Sequence, residues 1–83
     1  MNTISKRAVT HEEAQDSMEQ GILKECSAQV KVAMMDGNIW LMRGKPDHVF
    51  RAIESLEKTK LAKEFGERLT LEGDLFICFK TGA

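Results

Sequence analysis

Apolar residues recur along the chain at spacings that change from one segment to the next. The first spacing is a repeat of four residues, carried by Ala14, Met18, Ile22 and Cys26. A four-residue repeat draws one apolar stripe along a helix. Thr10 followed by Glu13 forms the capping-box pattern that often begins a helix. We therefore predict a helix over about residues 11–25.

The second segment, residues 28–43, surrounds an Asp-Gly pair with strand-forming residues. Asp-Gly in this setting is typical of a two-residue type I′ hairpin turn. We predict strands at 29–35 and 38–43, in the register that such a turn imposes. One face then carries the apolar residues Val30, Val32, Met34, Ile39 and Leu41. The second face carries Lys31, Ala33, Met35, Asn38, Trp40 and Met42.

The third segment predicts a helix and then a buried strand. Pro46 and Asp47 suit a first helical turn, and Gly66 suits a helix end, so we predict a helix at 47–65. The apolar spacing slips after Leu56, which indicates a bend near Thr59 or two consecutive helices. A strand is predicted at 74–80, paired with a short strand at 69–71 through a Gly-containing turn.

These elements predict a small α+β domain that occupies residues 1–83, with residues 1–9 as a tail or a weak edge strand. Its antiparallel sheet has three or four strands, and two helices pack on the sheet. With a real first strand, the order matches the ferredoxin-like βαββαβ arrangement. The core is expected to contain Val32, Met34, Ile39, Leu41, Ile53, Leu56, Ile77 and Phe79.

Composition narrows the class of protein. The 83 residues include 12 Lys and Arg against 13 Asp and Glu, so the net charge of −1 lacks the basic surplus typical of nucleic-acid binding. Cys26 and Cys78 are too few for a disulfide scaffold. The sequence shows neither an apolar signal-peptide core nor a stretch able to span a bilayer, which predicts a cytoplasmic protein with reduced thiols.

The sequence contains no recognisable catalytic or ligand-binding motif. Cys26, Cys78, His11 and His48 are isolated along the chain, without the paired spacing of a zinc site. The chain also lacks a P-loop and a G-x-G-x-x-G motif. We therefore expect no enzymatic activity, no catalytic or metal-binding residues and no cofactor or small-molecule substrate.

The second face of the predicted hairpin is more apolar than a solvated sheet face should be. Either a helix or the N-terminal segment covers this face, or the face binds a protein partner or a second copy of the chain. The second alternative predicts a protein-interaction module of the accessory, regulatory or inhibitory kind that phages and mobile elements often encode. The alternative to a protein-interaction module is a ferredoxin-like domain that binds single-stranded nucleic acid. The predicted interaction residues are Met35, Trp40, Met42, Arg43 and Phe76.

Overall fold

The computed structural model of the chain describes residues 7–12, 14 and 16–82, which form two helices and one five-stranded antiparallel sheet. The elements in chain order are β1 (Arg7–Val9), α1 (Ser17–Glu25), β2 (Lys31–Asp36), β3 (Ile39–Gly44), α2 (Pro46–Lys58), β4 (Ala62–Leu71) and β5 (Asp74–Thr81). The strands lie side by side in the order β1-β2-β3-β5-β4. Neither α1 nor α2, within the part of the chain described, is long and apolar enough to cross a membrane.

The strand order corrects the ferredoxin-like prediction. In a split βαβ arrangement the two strands that flank a helix run parallel. Here β1 and β2 flank α1 but are direct antiparallel neighbours, and β4 adds a fifth strand at the far edge. The coarser prediction of an α+β domain with an antiparallel sheet is confirmed. The predicted edge strand before residue 10 is present as β1, while residues 1–6 lie outside the described residues.

Helix α1 begins six residues later than the sequence pattern predicts, at Ser17. The Asp16 carboxylate accepts a hydrogen bond from the backbone N–H of Glu19 at 2.8 Å, so Asp16 is the N-cap. Thr10 instead accepts the N–H of Ala14 through its carbonyl, in a separate turn. The other predicted capping residue, Glu13, lies outside the described residues.

Helix α2 ends at Lys58, not at residue 65 as the sequence predicts. Two backbone hydrogen bonds close the end of the helix. The N–H of Leu61 donates to the carbonyl of Leu56, and the N–H of Lys60 donates to the carbonyl of Glu57. This pairing is a Schellman motif, in which the residue after the cap adopts a left-handed conformation. Lys60 occupies that position with φ 63°, where glycine is usual. The slip in apolar spacing after Leu56 therefore marks a helix end.

The residues after this turn form β4, which the sequence analysis recognised only at 69–71. Most of β4 is exposed at the sheet edge, so its residues show no strong apolar alternation. A two-residue turn with positive φ at both Glu72 (54°) and Gly73 (86°) connects β4 to β5, as in a type I′ hairpin.

The β2–β3 hairpin differs by one residue from its predicted register. The turn residues are Gly37 and Asn38, and Met35 is bulged, so that Met34 pairs with Trp40. A one-residue change moves every side chain of a strand to the opposite face. Accordingly, Trp40 and Met42 face the helices with Val32, whereas Ile39 and Leu41 face away.

The core lies between the two helices and one face of the sheet. Trp40 and Met42 are 1% and 0% exposed, and the Trp40 ring stacks on Phe79 with centroids 5.7 Å apart. Ile39 and Leu41 are only partly buried, which corrects their predicted place in the core. Of the other predicted core residues, Met34 packs against the core from its margin. Those confirmed as buried are Val32, Ile53, Leu56, Ile77 and Phe79.

Two neighbouring residues of β3 test this register. We expect Met42→Ala to lower the free energy of unfolding by about 2–5 kcal/mol, because it leaves a cavity in the core. The matched change Leu41→Ala, on the face of the sheet opposite α1 and α2, should cost about 0.5–1 kcal/mol. Urea denaturation followed by circular dichroism measures both values. A larger loss at Leu41 than at Met42 would support the type I′ register instead.

The end of α2 provides a second test. Lys60→Gly should raise the free energy of unfolding by about 0.5–1 kcal/mol, because a left-handed conformation costs a side-chain-bearing residue more than it costs glycine. Glu54→Gly, in the interior of α2, should lower it by a similar amount. Thermal and urea denaturation of both variants measure these shifts, and a loss of stability in Lys60→Gly would contradict the assigned helix end.

Candidate functional site

Both helices pack on the face of the sheet that holds Trp40, and the opposite face carries no helix of the described residues. We call this opposite face the open face. Pairing across the five strands aligns one residue from each strand in a central line, which we call the apolar row. The apolar row consists of Ala8, Ala33, Leu41, Cys78 and Phe65. Ala8 is exposed and the other four are partly exposed, so solvent reaches the whole row.

Two pairs of cations lie on either side of the apolar row. Lys31 pairs directly with Arg43 across β2 and β3, and Lys63 pairs directly with Lys80 across β4 and β5. Like charges placed directly opposite each other on a sheet destabilise it. In a chain whose net charge is −1, two such pairs on one face are an arrangement that folding alone does not favour. We call them the first and second basic pairs.

One cation of each pair also lies over an aromatic ring. The Arg43 guanidinium is 5.0 Å from the centre of the Phe76 ring, and the Lys80 ammonium is 5.1 Å from that of Phe65. Such contacts contribute about 0.5–1 kcal/mol at exposed sites. They hold Arg43 and Lys80 against the sheet, which leaves Lys31 and Lys63 as the more weakly restrained members of the two pairs.

Asp74 borders the first basic pair and partly offsets its charge. Its carboxylate accepts a hydrogen bond from Arg43 at 3.1 Å and lies 3.5 Å from the Lys45 ammonium. The hydrogen bond from Arg43, with a smaller contribution from Lys45, lowers the pKa of Asp74 below its usual value. The carboxylate therefore stays charged at neutral pH. Its stabilising contribution is present above the unfolded-state pKa and is lost as the pH falls through the lowered pKa.

The β4–β5 hairpin extends the apolar surface beyond the first basic pair. Leu69 pairs with Phe76, next to Arg43, and Leu71 follows on the same side of β4. Leu69 and Leu71 are 59% and 54% exposed, the largest exposures among the large apolar residues described. Apolar surface of this kind, bordered by charges, is typical of a binding site.

The structure separates the five residues that the sequence analysis selected as an interaction site. Arg43 and Phe76 are neighbours on the open face, and Met35 is a partly buried residue at the bulge. Trp40 and Met42 lie in the core, because of the one-residue register difference, and are not available to a partner. The other residues of the open face were not predicted to be interaction residues, notably Leu41, Lys63, Phe65 and Lys80.

The two cysteines lie on opposite sides of the sheet. Burial, and to a lesser extent the charge of Glu25, raises the pKa of Cys26 to about 12, so this thiol stays protonated at neutral pH. Cys78 is a free, partly exposed thiol in the apolar row. Among the described residues, His, Cys, Asp and Glu form no group of three or more that could hold a metal ion.

Comparison with known proteins leaves the geometry of the open face as the basis for a functional proposal. No family model, no curated protein and no solved structure matches the chain.

The basic pairs generate a prediction about stability. Lys31→Glu and Lys63→Glu should each raise the free energy of unfolding by about 0.2–1 kcal/mol at low salt, because an opposite charge replaces a like charge across the strands. Screening at 1 M salt should remove most of this gain. Lys24→Glu, in the last turn of α1, is the matched control and should not stabilise the protein. Chemical denaturation measures all three; stability lowered by both sheet variants would contradict the repulsion.

Proposed function

We propose that the protein is an interaction module that works by binding a protein partner through the open face of its sheet. The observation that supports this most strongly is the apolar row, which lies between two basic pairs on a face that no helix of the described residues covers. Protein interfaces commonly combine an apolar centre with a polar rim that includes arginine. The destabilising position of the basic pairs has a physical reason if a partner supplies the opposite charge.

The charges of the open face favour a different protein over a second copy of the chain. The three lines of residues on this face contain one carboxylate, that of Asp36, which pairs with Ile39. They contain four cations, Lys31, Arg43, Lys63 and Lys80. Packing two open faces together would bring eight cations into one interface against the four carboxylates of Asp36 and Asp74, where burying the excess charge is costly. A partner with acidic groups around an apolar centre avoids this cost.

Single-stranded nucleic acid is the second candidate ligand, because the open face offers two phenylalanines and four cations. Proteins that bind single strands stack bases on exposed aromatic rings. Here Arg43 and Lys80 lie over the rings of Phe76 and Phe65, so each cation occupies a ring face that a base would need. The rest of the apolar row is aliphatic or a thiol, which offers no stacking surface. A protein partner fits this composition better.

The test compares proteins retained by three forms of the tagged chain from nuclease-treated extract of its native cells. The first is the wild type, and the second carries Lys31→Glu and Lys63→Glu on the open face. The third, Lys24→Glu with Lys58→Glu, makes the same charge change on the helices. We expect the wild type and the helix variant to retain the same protein, and the open-face variant to lose it.

Sedimentation analysis of the purified chain accompanies this comparison, and we expect a monomer at high concentration. Equal retention by all three forms would contradict a role for the open face. A dimer that the open-face variant disrupts would show instead that the open face binds a second copy of the chain. Retention of proteins from untreated extract but not from nuclease-treated extract, together with binding of a single-stranded oligonucleotide by the purified chain, would favour the nucleic-acid candidate.

A further inference from the structure

We infer that the partner segment that binds the open face is an acidic amphipathic α-helix lying across the strands, an inference that rests on the proposed function. Three features favour this occupant: the dimensions of the face, the positions of its charges, and the irregular pairing of the edge strand β4.

The apolar row has the length and width of a short helix. It crosses five strands, which lie about 4.8 Å apart, so it is about 19 Å long. A helix of about 13 residues has this length. Arg43 and Ile39, which belong to the lines on either side of the row, are four residues apart on β3, or about 13 Å. A helix about 10–12 Å in diameter fits between these lines.

The basic pairs lie diagonally on the open face. Lys31 and Arg43 flank one half of the apolar row from one side, on β2 and β3. Lys63 and Lys80 flank the other half from the opposite side, on β4 and β5. An amphipathic helix has two polar flanks along its apolar stripe, so carboxylates on both flanks meet both basic pairs at once. Its stripe would contact Leu41, Cys78 and Phe65.

The exposed edge of β4 is less suited to binding an extended strand. The β4–β5 pairing is irregular between Phe65 and Leu69, which interrupts the edge that an added strand would pair with. Arg68 and Glu64 form an ion pair at 2.8 Å in the same region. Bulges and charges are the features by which sheet edges resist pairing with another strand.

The experiment measures binding of three stapled helical peptides of 14 residues to the full chain. All carry the same stripe of leucines at helical spacing, flanked on both sides by glutamate, glutamine or lysine. The staple removes helix formation as a variable, since short helices are marginal in water. We expect fluorescence anisotropy to show at least tenfold tighter binding of the glutamate peptide than of the lysine peptide. Bound glutamate peptide should also protect Cys78 from alkylation.

Variants of the chain locate the binding. Lys31→Glu with Lys63→Glu should remove most of the preference for the glutamate peptide over the lysine peptide, because each basic pair then has no net charge. Lys24→Glu with Lys58→Glu, which makes the same charge change on the helices, should leave the preference unchanged. Alkylation of Cys78 by iodoacetamide, followed by mass spectrometry, should slow at least fivefold with saturating glutamate peptide and show no change with the lysine peptide at equal concentration.

The inference is overturned by equal affinity for the three peptides, by absent binding of the glutamate peptide at millimolar concentration, or by binding that leaves Cys78 unprotected. Hydrogen exchange that shows protection of β4 edge amides by the retained partner would assign strand addition instead. These outcomes leave the proposed function intact if the open-face variant still loses its cellular partner. The proposed function itself fails if that variant retains the partner.

Discussion

The position of one bulged residue, Met35, decides which side chains of the central strand face the helices. The bulge allows Met34 to pair with Trp40, and this register places Trp40 and Met42 inside the core. The opposite end of the turn is fixed from β5, since the N–H of Thr81 donates to the Asn38 carbonyl at 2.9 Å. The Asn38 side-chain amide donates in return to the Thr81 carbonyl at 3.0 Å. These two hydrogen bonds hold the register on the β3 side of the hairpin.

The core and the open face both follow from that register. Once Trp40 points to the helices, it stacks on Phe79, and the alternate residues Leu41 and Cys78 come together on the other side of the sheet. The same alternation gathers the two basic pairs onto the open face. The sheet thus has one face that packs against the helices and another that places like charges opposite each other, which is the reason we propose that the second face binds a partner.

The sequence is informative where one physical effect dominates a segment. The strand at 74–80 was predictable because Leu75, Ile77 and Phe79 alternate with less buried residues, and all three are buried in the structure. The start of α2 was also predictable to within one residue, since proline at its first position and Asp47 next to it suit a helix start. These patterns also predicted that the chain forms two helices and an antiparallel sheet.

Prediction failed where two effects compete. Asp-Gly favours a type I′ turn, but burial of Trp40, the largest side chain, outweighs it by way of a bulge that local sequence does not encode. The end of α2 was missed because Lys60 adopts a conformation usually reserved for glycine. That error continued the helix over Lys63 and Phe65, so half of the open face could not be recognised from the pattern alone.

The most direct measurement is acrylamide quenching of Trp40, the single tryptophan of the chain. The register described here predicts blue-shifted emission from the native protein, with quenching far weaker than in urea-unfolded chain, because the indole is enclosed between the helices and the sheet. Native emission at the wavelength of the unfolded chain, with equal quenching, would place Trp40 on the open face. That result would contradict both the core described here and the proposed binding surface.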